Sequence, residues 1–225
     1  MLIIYSFLIT SIIMFTAFIF HHRKKPKIYN RVYLSRSFML SFINTWIVTF
    51  FELSIGYYPF FQTYTNLTDH SFLWFIFTSV LYFLLTDLLL WCNHYLLHSP
   101  YLFRWIHSVH HIVNYPTAFD FASVHPIEML LNFLTIHFLT IFFPIYLPVV
   151  LSYGTAMSLM SICEHGTGLD MYPINRLIDV NYHNTHHLIY RGNYGVGLLG
   201  PVWDILFNTY LKDPNSDRVY KDITL

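Results

Sequence analysis

The chain has 225 residues, 55% of them hydrophobic and 11% charged, and its 12 Lys and Arg balance its 12 Asp and Glu. A soluble domain carries about a quarter charged residues, so composition and a mean hydropathy of +0.46 exclude an ordinary water-soluble globule. A nucleic-acid surface is excluded too, because the basic residues cluster beside an apolar span.

Residues 1–20, "MLIIYSFLITSIIMFTAFIF", hold no charge and are long enough to cross a hydrocarbon core of ~30 Å. No Lys or Arg precedes this run and no small-residue cleavage pattern follows it, which argues against a removed signal peptide. Arg23, Lys24, Lys25, Lys27, Arg31 and Arg36 come next. They mark a cytoplasmic loop and can touch anionic headgroups. Further spans are expected near 38–56 and 71–92. The intervening "YYPFFQTYTNLTDH" has no Lys or Arg and falls outside, with a glycosylation sequon at Asn66. The stretch from Ile127 to Cys163 is too long for one crossing, and Pro144 and Pro148 divide it into spans near 127–143 and 145–163. Five crossings then put all 12 Lys and Arg in the cytoplasm. Cys92 and Cys163 lie at cytoplasmic span ends, where a disulfide is not expected. No linker or large repeat interrupts the chain, so residues 1–225 read as a single membrane domain. The tail "KDITL" lacks a dilysine retrieval signal, which favours a bacterial inner membrane over the endoplasmic reticulum.

Fourteen histidines are present. "HYLLH" sets His94 and His98 at i, i+4 where the third span ends. "HSVHH" gives His107, His110 and His111, and "HNTHH" gives His183, His186 and His187 in the same H-x-x-H-H spacing. "EHGTGLD" adds His165. On a helix, positions i, i+3 and i+4 fall within an arc of ~100°, so three imidazoles on one face can converge on a metal. At this histidine frequency about 0.05 matches to H-x-x-H-H are expected by chance, and two arise about once in a thousand such chains. Both motifs are therefore expected to serve one site. Nine imidazoles exceed the four to six ligands one ion takes, so two metals are expected. Imidazole suits iron, zinc, copper or nickel and does not name the metal. Neutral ligands call for nearby carboxylates to hold the free ring N–H groups. Asp87, Glu128, Glu164, Asp170 and Asp179 are the candidates, with Asp87 foremost because an intramembrane acid is costly unless paired. The competing reading makes Asp87 a buried acid bonded to a hydroxyl.

"LTDLLLWCNHYLLHSPYLFRWIHSVHH", "ASVHPIE", "EHGTGLDMYP" and "NYHNTHHLIYRGNYG…VWDILFNTY" together resemble the fatty acid hydroxylase/sterol desaturase superfamily over residues 84–210. The resemblance implies an all-α integral membrane helical bundle with a cytoplasmic helical cap holding a histidine-rich di-metal site. It further implies an oxygen-dependent enzyme with two non-haem iron ions, zinc being possible in isolated material. Two departures stand out. Many members carry a histidine four residues after the one matching His165, where this chain has Leu169 and then Asp170. Either Asp170 reaches the metal or the second ion has one ligand fewer. The family's H-R dipeptide is His94-Tyr95 here. His125, in "HPIE", reads as a ligand or as a helix-start hydrogen bond. His21, His22, His70 and His137 read as bystanders.

Unactivated C–H bonds resist side-chain acids, bases and nucleophiles, whereas oxygen activated on iron attacks them. The expected function is thus O2-dependent hydroxylation of a sterol, fatty acyl or related membrane lipid, at the cytoplasmic face of a multi-pass membrane protein. Desaturation by the same site is the alternative, with a zinc-dependent membrane hydrolase behind it. No haem, flavin or dinucleotide motif appears, so electrons are expected from a separate electron-transfer protein or reductase.

Overall fold

A computed structural model describes residues 2–23, 31–114, 116–166 and 181–211. Its helices, in chain order, are α1 (Leu2–Arg23), α2 (Arg31–Ser54), α3 (Phe72–Leu97), α4 (Pro100–Trp105), α5 (Pro126–His137), α6 (Leu147–His165), α7 (Asn181–Ile189) and α8 (Gly200–Leu206). Two short strands, β1 (Thr63–Tyr64) and β2 (Ile145–Tyr146), pair in parallel.

The long helices are built inside out. On α1 the small or polar Ser6, Thr10 and Ala17 are buried, while Ile3, Ile4, Ile12 and Phe15 face outward. Lipid tails are as apolar as leucine, so helices associate there through small residues and hydrogen bonds rather than by hiding large side chains. α1 and α2 join in this way: Trp46 Nε1 donates to Ser6 Oγ at 3.1 Å, and Phe7 meets Phe42 edge-on.

α2 also carries a polar face at i, i+4, i+7. Ser37 donates to Asp120, Ser41 donates to the Phe119 carbonyl, and Asn44 Nδ2 donates to the carbonyls of Ala122 and Val124. These bonds satisfy an irregular segment, residues 117–124, that is packed among α1, α2 and α6. Non-helical backbone is tolerated at such depth only when protein supplies its hydrogen bonds. Thr117 and Asp120 close the segment as a reciprocal capping box.

Among the described residues, four helices are long and apolar enough to cross a membrane: Leu2–His21, Val32–Ser54, Phe72–Leu97 and Leu147–His165. The expected crossing at 127–143 is instead a shorter apolar helix, Pro126–Ile141, in which α5 tightens to a 3-10 turn over Phe138–Ile141. Twelve α-helical residues cover only about 18 Å. α2 begins well before residue 38, and α3 runs past residue 92 to carry His94.

The end of the bundle holding β1, β2 and the start of α3 is tied by Gln62 N to Thr140 O at 2.6 Å and Trp74 Nε1 to Pro144 O at 3.1 Å. At the opposite end α3 and α6 terminate in histidine and α7 brings three more, while α8 packs beside α3 at Asp87 and Trp91.

Candidate metal centre

Nine histidines meet at this end of the bundle. His94 and His98 finish α3, and His165 finishes α6. His183, His186 and His187 lie on α7. His107, His110 and His111 do not lie on an α-helix: α4 stops at Trp105, and a 3-10 turn over His107–Val109 leads on to them. Bonds from His110 N and His111 N back to His107 O keep that turn helical enough to preserve the spacing.

The histidines form two groups, and neither triplet stays together. His94, His98, His107, His111 and His186 make one group; His110, His165, His183 and His187 make the other. A shared helix face lets three imidazoles converge, but here the triplets divide in a simple angular sense. Positions i and i+4 lie ~40° apart, whereas i+3 lies ~60° away on the other side of i. So the i, i+4 pairs 94/98, 107/111 and 183/187 each stay within a group, and the i+3 residues His110 and His186 cross to the other. Each triplet therefore bridges both groups.

The nitrogen geometry suits cations. In the four-membered group, Nε2 contacts run His110–His165 3.2 Å, His165–His183 3.1 Å, His183–His187 3.2 Å and His187–His110 3.1 Å. The centre of a square with such edges lies about 2.2 Å from each corner, and nearer if it folds toward a tetrahedron, against ~2.0–2.1 Å for a zinc–imidazole bond. In the other group His94 Nε2 stands 3.0 Å from His107 Nε2, which is 3.1 Å from His111 Nε2. His111 Nε2 is in turn 3.1 Å from His186 Nε2, and His98 Nε2 is buried without a hydrogen-bond partner among the described residues.

The second ring nitrogens say where the protons are. His94 Nδ1 donates to Tyr194 O, His165 Nδ1 to Ser161 O and His186 Nδ1 to Gly192 O, each at 2.7 Å, and His107 Nδ1 donates to the Glu128 carboxylate at 2.9 Å. Each donation leaves Nε2 as a bare lone pair turned inward. The His94–His107 contact thus has no proton to share, a repulsion that a bound cation relieves. Burial, then the neighbouring imidazoles, pull His98 down to about 3. Burial likewise holds His107, His110, His111, His183, His186 and His187 below the ordinary histidine range. All are neutral at pH 7, the form that binds metal.

The supporting carbonyls are positioned by the segment after α7. Tyr190, Gly192 and Asn193 have positive φ, and a Cβ on Gly192 would fall 2.6 Å from Thr209 O. Asn193 pins this turn by donating to Tyr182 O and Leu211 O and accepting from Leu211 N. Asp204, fully buried on α8, accepts from Trp91 Nε1, Tyr194 N, Gly195 N, Tyr182 Oη and Thr209 Oγ1. It fixes the backbone whose Tyr194 carbonyl orients His94. The sequence reading gave Asp204 no role; a lone acid inside the apolar "PVWDILF" was the available signal.

Asp87 does not touch a histidine. It accepts from Trp203 Nε1 at 2.7 Å, Tyr153 Oη at 3.0 Å and Leu199 N at 3.2 Å, joining α3 to α6 and to the start of α8. These three donors satisfy its oxygens and tie α3 to α6 and α8. His125 stands outside both groups and caps α5, its Nδ1 accepting from Ile127 N at 3.1 Å. Asp170 and Asp179 lie outside the described residues. Glu164 is buried on α6 and, with Glu128, lines a cavity of about 300 Å³ that runs from the histidines into the bundle.

The family model described as fatty acid hydroxylase matches residues 79–209. The chain is 30% identical over 181 residues to lathosterol oxidase of Rattus norvegicus, covering 79% of this chain and 59% of that protein. It is 30% identical over 140 residues to lathosterol oxidase of Homo sapiens, covering 61% and 45%. It is 25% identical over 134 residues to a Delta(7)-sterol 5(6)-desaturase of Gibberella zeae, covering 59% and 42%. The chain thus spans about two fifths to three fifths of these relatives. No solved structure matches it.

Proposed function

The chain belongs to the fatty acid hydroxylase family, and from that we propose that it oxidises an unactivated C–H bond of a membrane lipid, adding a hydroxyl group, with two iron ions, dioxygen and a separate electron donor. The observation that carries this reading is the pairing of two histidine groups, four of whose rings have Nε2 fixed inward as a lone pair by an Nδ1 hydrogen bond, with a largely apolar cavity directly beneath them.

His94, His98, His107, His111 and His186 would hold one ion, and His110, His165, His183 and His187 the other. Iron bound there would supply the oxygen activation that breaking a C–H bond requires. The remaining work belongs to the chain. The carbonyls of Tyr194, Ser161 and Gly192 and the carboxylate of Glu128 hold the rings of His94, His165, His186 and His107 by their N–H groups, which fixes tautomer and direction for those four. Apolar residues such as Leu90, Leu97, Phe121 and Val196 line the cavity and keep it dry. Ile9 and Thr155, both exposed on the bundle's flank, also line it, so a lipid can enter sideways between α1 and α6. α1 ends at Arg23 and α2 begins at Arg31 on the histidine side of the bundle, and basic residues flanking span ends there favour a cytoplasmic site under the positive-inside rule.

Desaturation is the second reading, favoured by the names of the relatives, since removing a second hydrogen needs no different site. Expression in a host followed by profiling of its membrane lipids decides between them. One lipid should gain 16 mass units for hydroxylation or lose 2 for desaturation (roughly, one oxygen added or two hydrogens removed, the oxidative chemistry of such centres). His110→Ala and His186→Ala should abolish the change while the protein still inserts. Full conversion by either variant would overturn the assignment.

A further inference from the structure

The cavity beneath the histidines has a polar far end that the chemistry above does not use. Glu52 stands near the end of α2 remote from the histidines and lines this space together with Thr45 and Thr49. The three fall at i, i+4, i+7, one face of the helix. Thr45 Oγ1 is buried without a hydrogen-bond partner. Glu52 has no hydrogen-bond partner among the described residues, and His137 Nε2, at 3.9 Å from Oε1, is too distant to be one. Gly154 of α6 leaves the room, since a Cβ there would sit 3.0 Å from Glu52 Oε1. An acid on a membrane-spanning helix that faces a cavity with no hydrogen-bond partner, and one imidazole 3.9 Å away, is costly unless something arrives to meet it.

Helix geometry sets the distance. From Gly154, beside Glu52, to His165 along α6 is about 16 Å, and from His137 to Glu128 along α5 is about 14 Å. We propose that Glu52 receives the hydrogen-bond-donating polar end of the lipid, a hydroxyl or an ammonium group, and so fixes which carbon meets the histidines. This rests on the histidines being the oxidising centre. The bond presented to them then lies about 15 Å from the anchored donor, roughly a dozen carbons along an extended chain of ~1.5 Å bonds. A sterol held by its 3-hydroxyl would present its side chain. Ring positions 5 and 6, named in the desaturase relatives, lie within two or three bonds of the hydroxyl-bearing carbon and would remain at the Glu52 end.

The test is binding rather than turnover. Radiolabelled hexadecan-1-ol, hexadecylammonium and 1-methoxyhexadecane are each equilibrated with the metal-loaded protein in detergent and separated by gel filtration. The alcohol or the ammonium should bind at least ten-fold tighter than the ether, and whichever is tighter identifies a hydroxyl or an amine lipid. Glu52→Leu should erase the preference, and Glu52→Gln, which keeps an acceptor oxygen, should retain that for the alcohol. Equal binding of all three probes by the unaltered protein, which needs no variant to fold, would overturn the proposal, as would a preference that survives Glu52→Leu. If the preference stands while no lipid is oxidised, the oxidase reading falls and the Glu52 site remains.

Discussion

What a histidine does at this site depends on the atom its second nitrogen touches. Glu128 reaches His107 Nδ1 at 2.9 Å, whereas Asp87, the more conspicuous acid in the sequence, spends its oxygens on Trp203, Tyr153 and Leu199. The two should therefore fail differently when changed. Glu128→Ala should weaken metal retention by about 10–100-fold in a chelator titration, the usual effect of losing an outer hydrogen-bond partner. Asp87→Asn should keep its metal and instead lower thermal stability, by about 1–3 kcal/mol for a buried charged hydrogen-bond hub. Metal lost from Asp87→Asn at unchanged stability would reverse these roles. Gly192 belongs to the same scale: its φ of +69° and the nearby Thr209 carbonyl leave no place for a Cβ, so Gly192→Ala should displace the carbonyl that orients His186.

At the scale of elements, helical periodicity explains both what the sequence disclosed and what it hid. The i, i+4 pairs 94/98, 107/111 and 183/187 were legible as convergent, and each does share a group. The crossing of His110 and His186 to opposite groups was equally written in the 100° step, but treating a triplet as one ligand set concealed it. His98→Ala should accordingly lower metal content in the five-histidine group alone, and His165→Ala in the four-histidine group alone, each leaving about one ion per chain by elemental analysis if imidazole ligands act independently. Loss of both ions from either single variant would mean that the groups do not bind separately. The supports were harder to read. Tyr194, Gly192 and Ser161 act through backbone carbonyls, which carry no side-chain signature, and Asp204 acts on that backbone rather than on a ring.

Over the whole molecule, composition disclosed the membrane and the histidine pattern disclosed which end holds the site. The number of long spans was less legible, because Pro144 and Pro148 suggested a symmetric hairpin while α5 is the shorter arm and tightens at Phe138. The segment 117–124 was illegible for a related reason. It is apolar enough to pass for helix, yet it survives as irregular backbone only because Ser37, Ser41 and Asn44 on another helix satisfy it. Asn44→Leu strips donors from two buried carbonyls and should cost about 1–3 kcal/mol, read as a lower unfolding temperature in detergent. At this scale the central proposal is that the two histidine groups bind metal and serve lipid oxidation. The most direct test is metal analysis of the purified protein joined to oxygen-uptake measurements in the presence of reductant. Two iron ions per chain, with uptake that appears only when lipid is added, is the predicted result; protein that binds no transition metal, or binds iron and consumes no oxygen with any membrane lipid, would contradict it.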